Sequence, residues 1–114
     1  MFQSKNRLRK QTEVQNVVKK GKSVFDPICG IRFLKNKLDE SRFTVVVGLK
    51  VHKGAVRRNR VRRQYREIIR LHLNHIQKGF DIVFITSGQA LDLTYSQKEE
   101  RITAVLKKAG LWKD

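Results

Sequence analysis

Arginine side chains are concentrated in one segment of this chain, between residues 53 and 70. A single acid, Glu67, accompanies eight basic residues there: Lys53, Arg57, Arg58, Arg60, Arg62, Arg63, Arg66 and Arg70. The arginine guanidinium is a planar fork that can hold two phosphate oxygens and can stack on a base. Asn59 lies inside the run and can both donate and accept hydrogen bonds toward a base edge or a ribose hydroxyl. The segment therefore predicts an RNA- or DNA-binding surface.

A solvated helix face is the simplest alternative explanation for such a run. Solvated faces usually mix positive and negative charges three or four residues apart, because those pairs support the helix. Here Arg66 has a like charge four residues away on each side, at Arg62 and at Arg70. Such repulsion destabilises a helix unless a polyanion compensates, and the pattern favours nucleic-acid binding.

The remaining polar residues predict no protein active site. His72 and His75 are three residues apart, but no third ligand has a recognisable spacing, and His72 lies on an apolar stripe that favours packing. Cys29 is the single cysteine, so an internal disulfide and a cysteine-based zinc site are excluded, and a small buried side chain is favoured. Four aspartates form no motif for metal binding or acid–base chemistry: Asp26, Asp39, Asp81 and Asp92.

Composition supports the same class of partner. The 114 residues include 26 Lys and Arg against 10 Asp and Glu, which gives a formal charge of +16. A charge of this size opposes folding by self-repulsion and indicates a polyanion, either a nucleic acid or an anionic membrane surface. The apolar runs are too short to span a bilayer, and no signal peptide is evident, so we expect one cytoplasmic domain over residues 1–114 with no membrane partner.

The basic helix needs a scaffold, and the first part of it is a short helix over residues 12–20. Residues 1–11 before it are basic and polar and are left open as a flexible arm. Thr12 and Gln15 form a capping-box pattern, and Gly21 suits the end of the helix. Three valines share one face of this helix: Val14, Val17 and Val18.

Alternating and apolar stretches predict the strands. A short extended piece covers residues 23–25, and longer strands cover residues 29–34 and 43–51. In the first of these longer strands, Arg32 falls on the face opposite Cys29, Ile31 and Phe33. Residues 80–86 are apolar on both faces, which favours a central strand.

Two further helices complete the predicted order α-β-β-β-α-β-α. The main helix covers residues 56–76, with an apolar stripe that consists of Val61, Tyr65, Ile68, Ile69, His72 and Ile76. Thr94 and Gln97 form a capping box for the last helix, which Gly110 ends. Helices covering a mainly antiparallel sheet predict an α+β fold, a two-layer α/β sandwich.

The arginine-rich segment also carries a resemblance. Residues 55–67 resemble the signature of the protein subunit of bacterial ribonuclease P, whose core is matched by Arg58, Asn59 and Arg60. The residues after the core match as well: Arg62, Arg63, Arg66 and Glu67. Upstream, Asn6-Arg7-Leu8 is similar to the family's N-terminal entry, and residues 47–56 resemble the strand and loop that lead into the motif. The resemblance covers almost the whole chain.

The resemblance implies an RNA-binding subunit that helps a catalytic RNA to remove the 5′ leader of precursor tRNA by endonucleolytic cleavage. The RNA would supply the active site and bind Mg²⁺, so no catalytic residue, metal ligand or small-molecule substrate is expected on the protein. The implied partners are the catalytic RNA, which the arginine-rich helix would contact, and the precursor-tRNA leader. The implied fold is a ribosomal-protein-type domain whose strand–helix–strand crossover is left-handed, against the general rule.

A leader cleft between the first helix and the sheet is also implied, and here the chain departs from the family. The family often has aromatic residues at the positions matched by Val14, Val18 and Arg32, where they would stack on bases. We expect a cleft that holds the leader mainly by charge, through Arg32 and Lys50, with the two valines against sugars or bases. The alternative is that both valines belong to the core.

Other functions remain open from the residues alone. A ribosomal or ribosome-associated RNA-binding protein would have the same charge and fold class. A sequence-specific DNA-binding protein is disfavoured by the strands between the helices, and a membrane-surface helix by an apolar stripe of the size that suits a core. Phe2 and Trp112, near the ends of the chain, could pack on the core or stack on RNA.

Overall fold

The computed structural model describes residues 3–47 and 54–114, apart from the side chain of Gln89. Within these ranges the chain forms three α-helices and four strands: α1 (Gln11–Lys20), β1 (Lys22–Val24), β2 (Cys29–Lys35), β3 (Arg42–Val46), α2 (Ala55–Leu71), β4 (Phe80–Thr86) and α3 (Tyr95–Lys108). Short 3₁₀ turns cover Ser4–Asn6, Leu73–His75 and Gly88–Asp92. None of the helices in the described ranges is long and apolar enough to cross a membrane.

The strands form one mixed sheet in the order β1-β2-β4-β3. β2 is antiparallel to both β1 and β4, whereas β3 is parallel to β4 and is joined to it through α2. The α+β class and the central position of β4 are therefore confirmed. The handedness of the crossover stays a prediction.

The main core lies between one face of the sheet and the pair α2 and α3. Alternate strand residues such as Ile31, Ile82 and Phe84 pack there with Tyr65 and Ile102, all at most 1% exposed. These two layers are the predicted sandwich. The helix α1 lies on the opposite face, named the outer face below, where Val17 packs with Leu8 and Val83 in a second, smaller cluster.

Two predicted helix boundaries differ from the structure for long-range reasons. α1 begins at Gln11, and its N-cap residue, Lys10, makes no side-chain capping bond, so the predicted Thr12 capping box is wrong. Leu8 is buried and its N–H donates to the carbonyl of Phe43, which sets where the chain enters the helix. The residue that ends α1, Gly21, has extended backbone, and a Cβ there would collide with the Val17 carbonyl and lie 2.7 Å from that of Phe33.

The main helix ends at Leu71, five residues before the predicted Ile76. The chain turns there because Ile76 pairs with Trp112 and the Gln77 N–H donates to the Leu111 carbonyl at 2.7 Å. The ring of Trp112 stacks on His75 with centroids 4.8 Å apart, so this tryptophan packs on the protein.

Local signals at the last helix are confirmed. The Thr94 side chain accepts from the Gln97 N–H at 3.2 Å, and the Gln97 side chain accepts from the Thr94 N–H at 2.9 Å, which completes the capping box. Gly110 follows the helix with a φ of +75°, a conformation that favours glycine. The predicted strand over 43–51 begins at Arg42 and is described as a strand to Val46; its residues 48–51 lie outside the described ranges.

The N-terminal segment packs along β3, so residues 3–10 do not form the free arm that the sequence left open. Arg7 pairs with Phe43 in a parallel bridge, and Leu8 is 3% exposed. The buried amide of Asn6 donates to the Ser41 carbonyl at 3.0 Å. These contacts extend the sheet edge and bring Arg7 toward α2.

A triad of charged side chains connects α1 to the sheet. The Arg42 guanidinium binds both carboxylate oxygens of Asp81, with Nη2–Oδ2 at 2.7 Å, and its Nη2 also lies 3.0 Å from Glu13 Oε2 on α1. The hydrogen bonds to Asp81 raise the pKa of Arg42 although burial opposes this. The triad holds α1 at the β3 side of the outer face.

We expect Arg42→Ala to lower the free energy of unfolding by about 3 kcal/mol, because it removes the bidentate partner of the buried Asp81 carboxylate. Glu13→Gln is the matched control: Glu13 is more exposed, and its loss should cost less than about 1 kcal/mol. Urea unfolding followed by circular dichroism measures both. Equal costs for the two variants would contradict a dominant role for the Arg42–Asp81 pair.

We expect Cys29 to be chemically inert in the native protein. It is 0% exposed, and burial raises the pKa of its thiol to about 12. Because the folded pKa lies above the unfolded one, this group's contribution to stability is complete below the unfolded pKa, about 8.5, and is lost as the pH rises toward 12. Iodoacetamide at pH 8 should label the chain only after urea is added; rapid labelling without urea would contradict this burial.

Candidate nucleic-acid interface

α2 separates its apolar and basic residues as the sequence predicts. Val61, Tyr65, Ile68 and Ile69 are buried against the sheet. The arginines lie on the rest of the helix surface: Arg57, Arg60, Arg63, Arg66 and Arg70 are exposed, and Arg58 and Arg62 are half-buried. This set of arginines is named the arginine face below. Lys53, the first basic residue of the predicted surface, lies outside the described residues.

A shallow groove crosses the arginine face. It has a volume of about 420 Å³ and is lined by Val56, Asn59, Arg62, Arg63 and Arg66. The Arg62 guanidinium donates to Asn59 Oδ1 at 2.7 Å, so the two side chains that suit base or ribose recognition are held together. Val56 is 80% exposed beside them and offers an apolar surface to a sugar or base. Sequence reasoning missed Val56, since an apolar residue in a helix is ordinarily counted toward the core.

Like charges crowd the middle of the arginine face. Burial is the first cause that lowers the pKa of Arg66, and the neighbouring charges of Arg62 and Arg7 lower it further. Arg7 therefore belongs electrostatically to the arginine face, although it comes from the N-terminal segment. Arg70 differs, because its guanidinium binds Glu67 with Nη2–Oε1 at 2.5 Å and this contact raises its pKa. Repulsion from neighbouring guanidinium groups therefore acts on Arg66, whereas the charge of Arg70 is balanced by Glu67.

A lysine ties α2 to α3 beside the arginine face. Lys98 is 4% exposed, and its ammonium donates to Gln64 Oε1 at 2.7 Å and to the Leu93 carbonyl at 2.9 Å. Burial and the charge of Arg60 lower the pKa of this lysine. The contact fixes the orientation of α2, and the sequence held no local signal for it.

The outer face carries the predicted cleft residues, with one exception. Val14 is half-buried beside Val17, whereas Val18 is 37% exposed, so the two valines have different environments. Arg32 lies on the outer face of β2, and its Nη1 donates to the Val18 carbonyl at 2.8 Å. Lys50 lies outside the described residues.

The strand register shows which part of the outer face is left open. One row across the sheet pairs Arg32 with Val83 and Val83 with Thr44, and Val83 packs under α1. In the next row Gly30 pairs with Ile85, which pairs with Val46. Ile85 and Val46 are 38% and 40% exposed. The space over this second row, with Arg32 and Val18 at its edge, is named the outer cleft below.

The basic residues of the first 22 positions divide between several places. Lys19, Lys20 and Lys22 are exposed where α1 ends and β1 begins, near Arg32. Lys5 instead lies 3.4 Å from Glu40, and Arg7 lies near the arginine face. Lys5 and Arg7 therefore lie away from the outer cleft.

His72 and His75 are the two histidines in the described ranges, and each has a partner other than a metal. His72 Nε2 lies 3.0 Å from Glu99 Oε2, and the His75 ring is stacked on Trp112. Among the described residues there is no group of three or more His, Cys, Asp or Glu side chains that could hold a metal ion.

Comparison with known proteins gives one consistent result. The model of the family "Ribonuclease P" matches residues 2–110. The ribonuclease P protein component of a Clostridium botulinum strain is 36% identical over 108 residues, which is 94% of this chain and 96% of that protein. The solved structure of the Staphylococcus aureus RNase P protein is similar, with a TM-score of 0.87 and 32% identity, over 95% of this chain and 98% of that one. The solved structure of the Thermotoga maritima RNase P protein has a TM-score of 0.82 and 34% identity, over 90% of this chain and 96% of that one.

We expect Arg66→Gln to stabilise the free protein and to weaken RNA binding. Removing one of the crowded charges should raise the free energy of unfolding by about 0.3 kcal/mol at low salt. The slope of log affinity for RNA against log salt should become shallower by about 0.9 if Arg66 meets a duplex phosphate. Arg70→Gln is the control, because it removes a charge that Glu67 already neutralises and should not stabilise the fold. Unchanged slopes for Arg66→Gln would show that this side chain does not contact phosphate.

Proposed function

The chain belongs to the ribonuclease P protein family, and on that premise we propose that its arginine face and its outer cleft bind two different RNAs. The family's protein is a subunit of an endoribonuclease that matures the 5′ end of tRNA, with the RNA subunit as its partner and precursor tRNA as its substrate. This membership decides between the processing subunit and the ribosomal protein that the charge alone left open.

The arginine face is proposed as the surface for the catalytic RNA. The observation that carries this assignment is the concentration of guanidinium groups on the one side of α2 that is turned away from the sheet. Their repulsion is relieved when phosphate oxygens come between them. The Asn59–Arg62 pair and exposed Val56 add contacts to sugars or bases that charge alone does not supply.

The outer cleft is proposed as the surface for the 5′ leader of precursor tRNA. Its basic groups are Arg32 and the two exposed lysines at the end of α1, Lys19 and Lys20, and its floor is the apolar pair Ile85 and Val46. A single-stranded leader exposes both its phosphates and its bases, so it matches a surface that combines charge with apolar area. Val18 supplies one apolar wall, whereas Val14 is turned toward the small cluster under α1. Lys50 remains a proposed member of the cleft.

Catalysis is proposed to use Mg²⁺ ions held by the RNA, with the protein contributing position and charge. Removal of the leader by RNA needs metal ions close to the scissile phosphate, where RNA phosphates can hold them. The proposal includes action in the cytoplasm, because a single buried thiol is compatible with a reducing compartment. No small-molecule substrate enters the proposal.

Reconstitution with the catalytic RNA tests the two surfaces separately. At low Mg²⁺ the chain should accelerate leader release over RNA alone, and Arg62→Ala with Arg66→Ala should raise the protein concentration needed for half-maximal stimulation by more than tenfold. Arg32→Ala should leave that concentration unchanged and raise the KM for precursor tRNA, whereas Arg32→Lys retains the charge and should behave like the wild type. Absence of stimulation across a range of salt concentrations would contradict the proposed function.

A further inference from the structure

One aromatic side chain in the described part of the chain is presented to solvent beside the outer cleft. Phe25 directly follows β1 and is 78% exposed. An exposed phenyl ring forgoes the stabilisation that burial would give, so its position calls for a binding partner. By comparison, Phe43 and Phe84 are buried in the core at 2% and 0% exposure.

The chain around Phe25 is held firmly. Asp26 Oδ1 accepts from the N–H groups of Ile28 and Cys29 at 2.9 and 3.0 Å, and Asp26 Oδ2 lies 3.5 Å from Arg101 Nη1. The Ile28 side chain is buried, and the backbone carbonyl of Ile28 accepts a hydrogen bond from the Ser87 N–H at 3.0 Å. Phe25 is therefore exposed on an ordered turn, which lowers the entropy lost when a partner binds.

Strand alternation places Phe25 on the outer face. Ser23 pairs with Arg32, Val24 pairs with Ile31, and Val24 packs on the main core. Successive side chains alternate between faces, so Phe25 follows Ser23 onto the side of Arg32. It lines a hollow of about 280 Å³ with Gly30, Arg32 and Ile85. The ring thus stands at the β1 end of the outer-cleft row that continues through Gly30 and Ile85 to Val46.

Gly30 keeps this hollow open. Its φ is not positive, and a Cβ there would make only ordinary contacts, the nearest being the Val24 carbonyl at 3.5 Å. The backbone therefore does not require glycine at this position. The missing side chain leaves a flat floor between Phe25 and Ile85 over which a planar group can lie.

We propose that Phe25 is a stacking platform for one base of the precursor-tRNA leader, while Arg32 binds a neighbouring phosphate. The inference rests on the leader-binding part of the proposed function. The residues of α1 include no aromatic, and the outer face of β2 offers only Gly30, Arg32 and Leu34. Phe25 therefore supplies, from the β1 side of the cleft, the ring that the helix side lacks. Stacking on phenylalanine does not depend on which base is present, because every base offers a flat face.

Binding of the reconstituted holoenzyme to two substrates tests this residue. Precursor tRNA with a leader of several nucleotides is compared with the same tRNA lacking a leader, and the ratio of the two affinities is the leader increment. Phe25→Ala should reduce the increment by about tenfold and leave binding of the leaderless tRNA unchanged. Phe25→Leu should reduce the leader increment by the same factor, because leucine keeps apolar area but has no ring. Phe25→Trp should retain the increment.

Controls separate stacking from charge and from folding. Leu38→Ala removes another exposed apolar side chain, which is 49% exposed in a different turn, and should not change the increment. Phe25→Ala should leave the salt dependence of leader binding unchanged, whereas Arg32→Ala should lower the slope by about 0.7, the value for one single-strand phosphate. Equal melting temperatures of Phe25→Ala and the wild type would confirm that the fold is retained.

Abasic nucleotides placed along the leader identify the stacked base. At one position the abasic substitution should weaken binding of the wild type about tenfold and have no further effect in Phe25→Ala. If the leader increment of Phe25→Ala equals that of the wild type, the inference is overturned and the proposed function still stands. A wild type without any leader increment would overturn leader binding itself. Equal weakening of both tRNAs by Phe25→Ala would assign Phe25 to another partner and would also overturn the inference.

Discussion

Burial of one stripe of α2 against the sheet is the interaction on which the rest of the structure depends. Tyr65, Ile68 and Ile69 are fully buried in the main core, and this apolar contact holds the helix although its arginines repel one another. The same contact turns those arginines away from the sheet, since residues on opposite sides of a helix cannot face the same layer. A helix of this charge would be unstable alone, so the core is what allows the guanidinium groups to be concentrated before RNA arrives.

The outer face of the sheet, in contrast to the face that packs on α2 and α3, is only partly covered. α1 is short, and its contacts with the sheet centre on Val17, with the Arg42 triad at one end and the Arg32 bond to the Val18 carbonyl near the other. These anchors hold α1 over the rows of Asp81 and Val83 and leave the row of Ile85 open. The cleft therefore results from where the helix is fixed and needs no movement to form.

Features that depend on neighbouring residues in sequence could be predicted, and features that depend on distant contacts could not. The Thr94 capping box, the alternation in β2 and the apolar stripe of α2 are local patterns, and all three are confirmed. α2 ends early because Ile76 pairs with Trp112, which lies 36 residues further along the chain. The start of α1 is set by a contact between Leu8 and Phe43, which are 35 residues apart. The charge pattern and the family motif were enough to locate the arginine face in the sequence. The closeness of Arg7 to Arg66 and the exposure of Val56 and Phe25 depend on how the chain packs, and no local pattern indicates them.

The two proposed RNA surfaces lie on opposite sides of one sheet, and this geometry bears on how a small protein can serve a larger RNA. The arginine face is turned away from the main core, and the outer cleft lies beyond the sheet on the α1 side. The described chain extends only 36 × 32 × 26 Å, so RNAs bound on the two sides are held within one protein diameter of each other. Binding to both at once makes the second contact intramolecular, which raises the effective concentration of the substrate at the catalytic RNA. The sheet between the two surfaces, with β2 and β4 as its inner strands, sets the distance between the two bound RNAs.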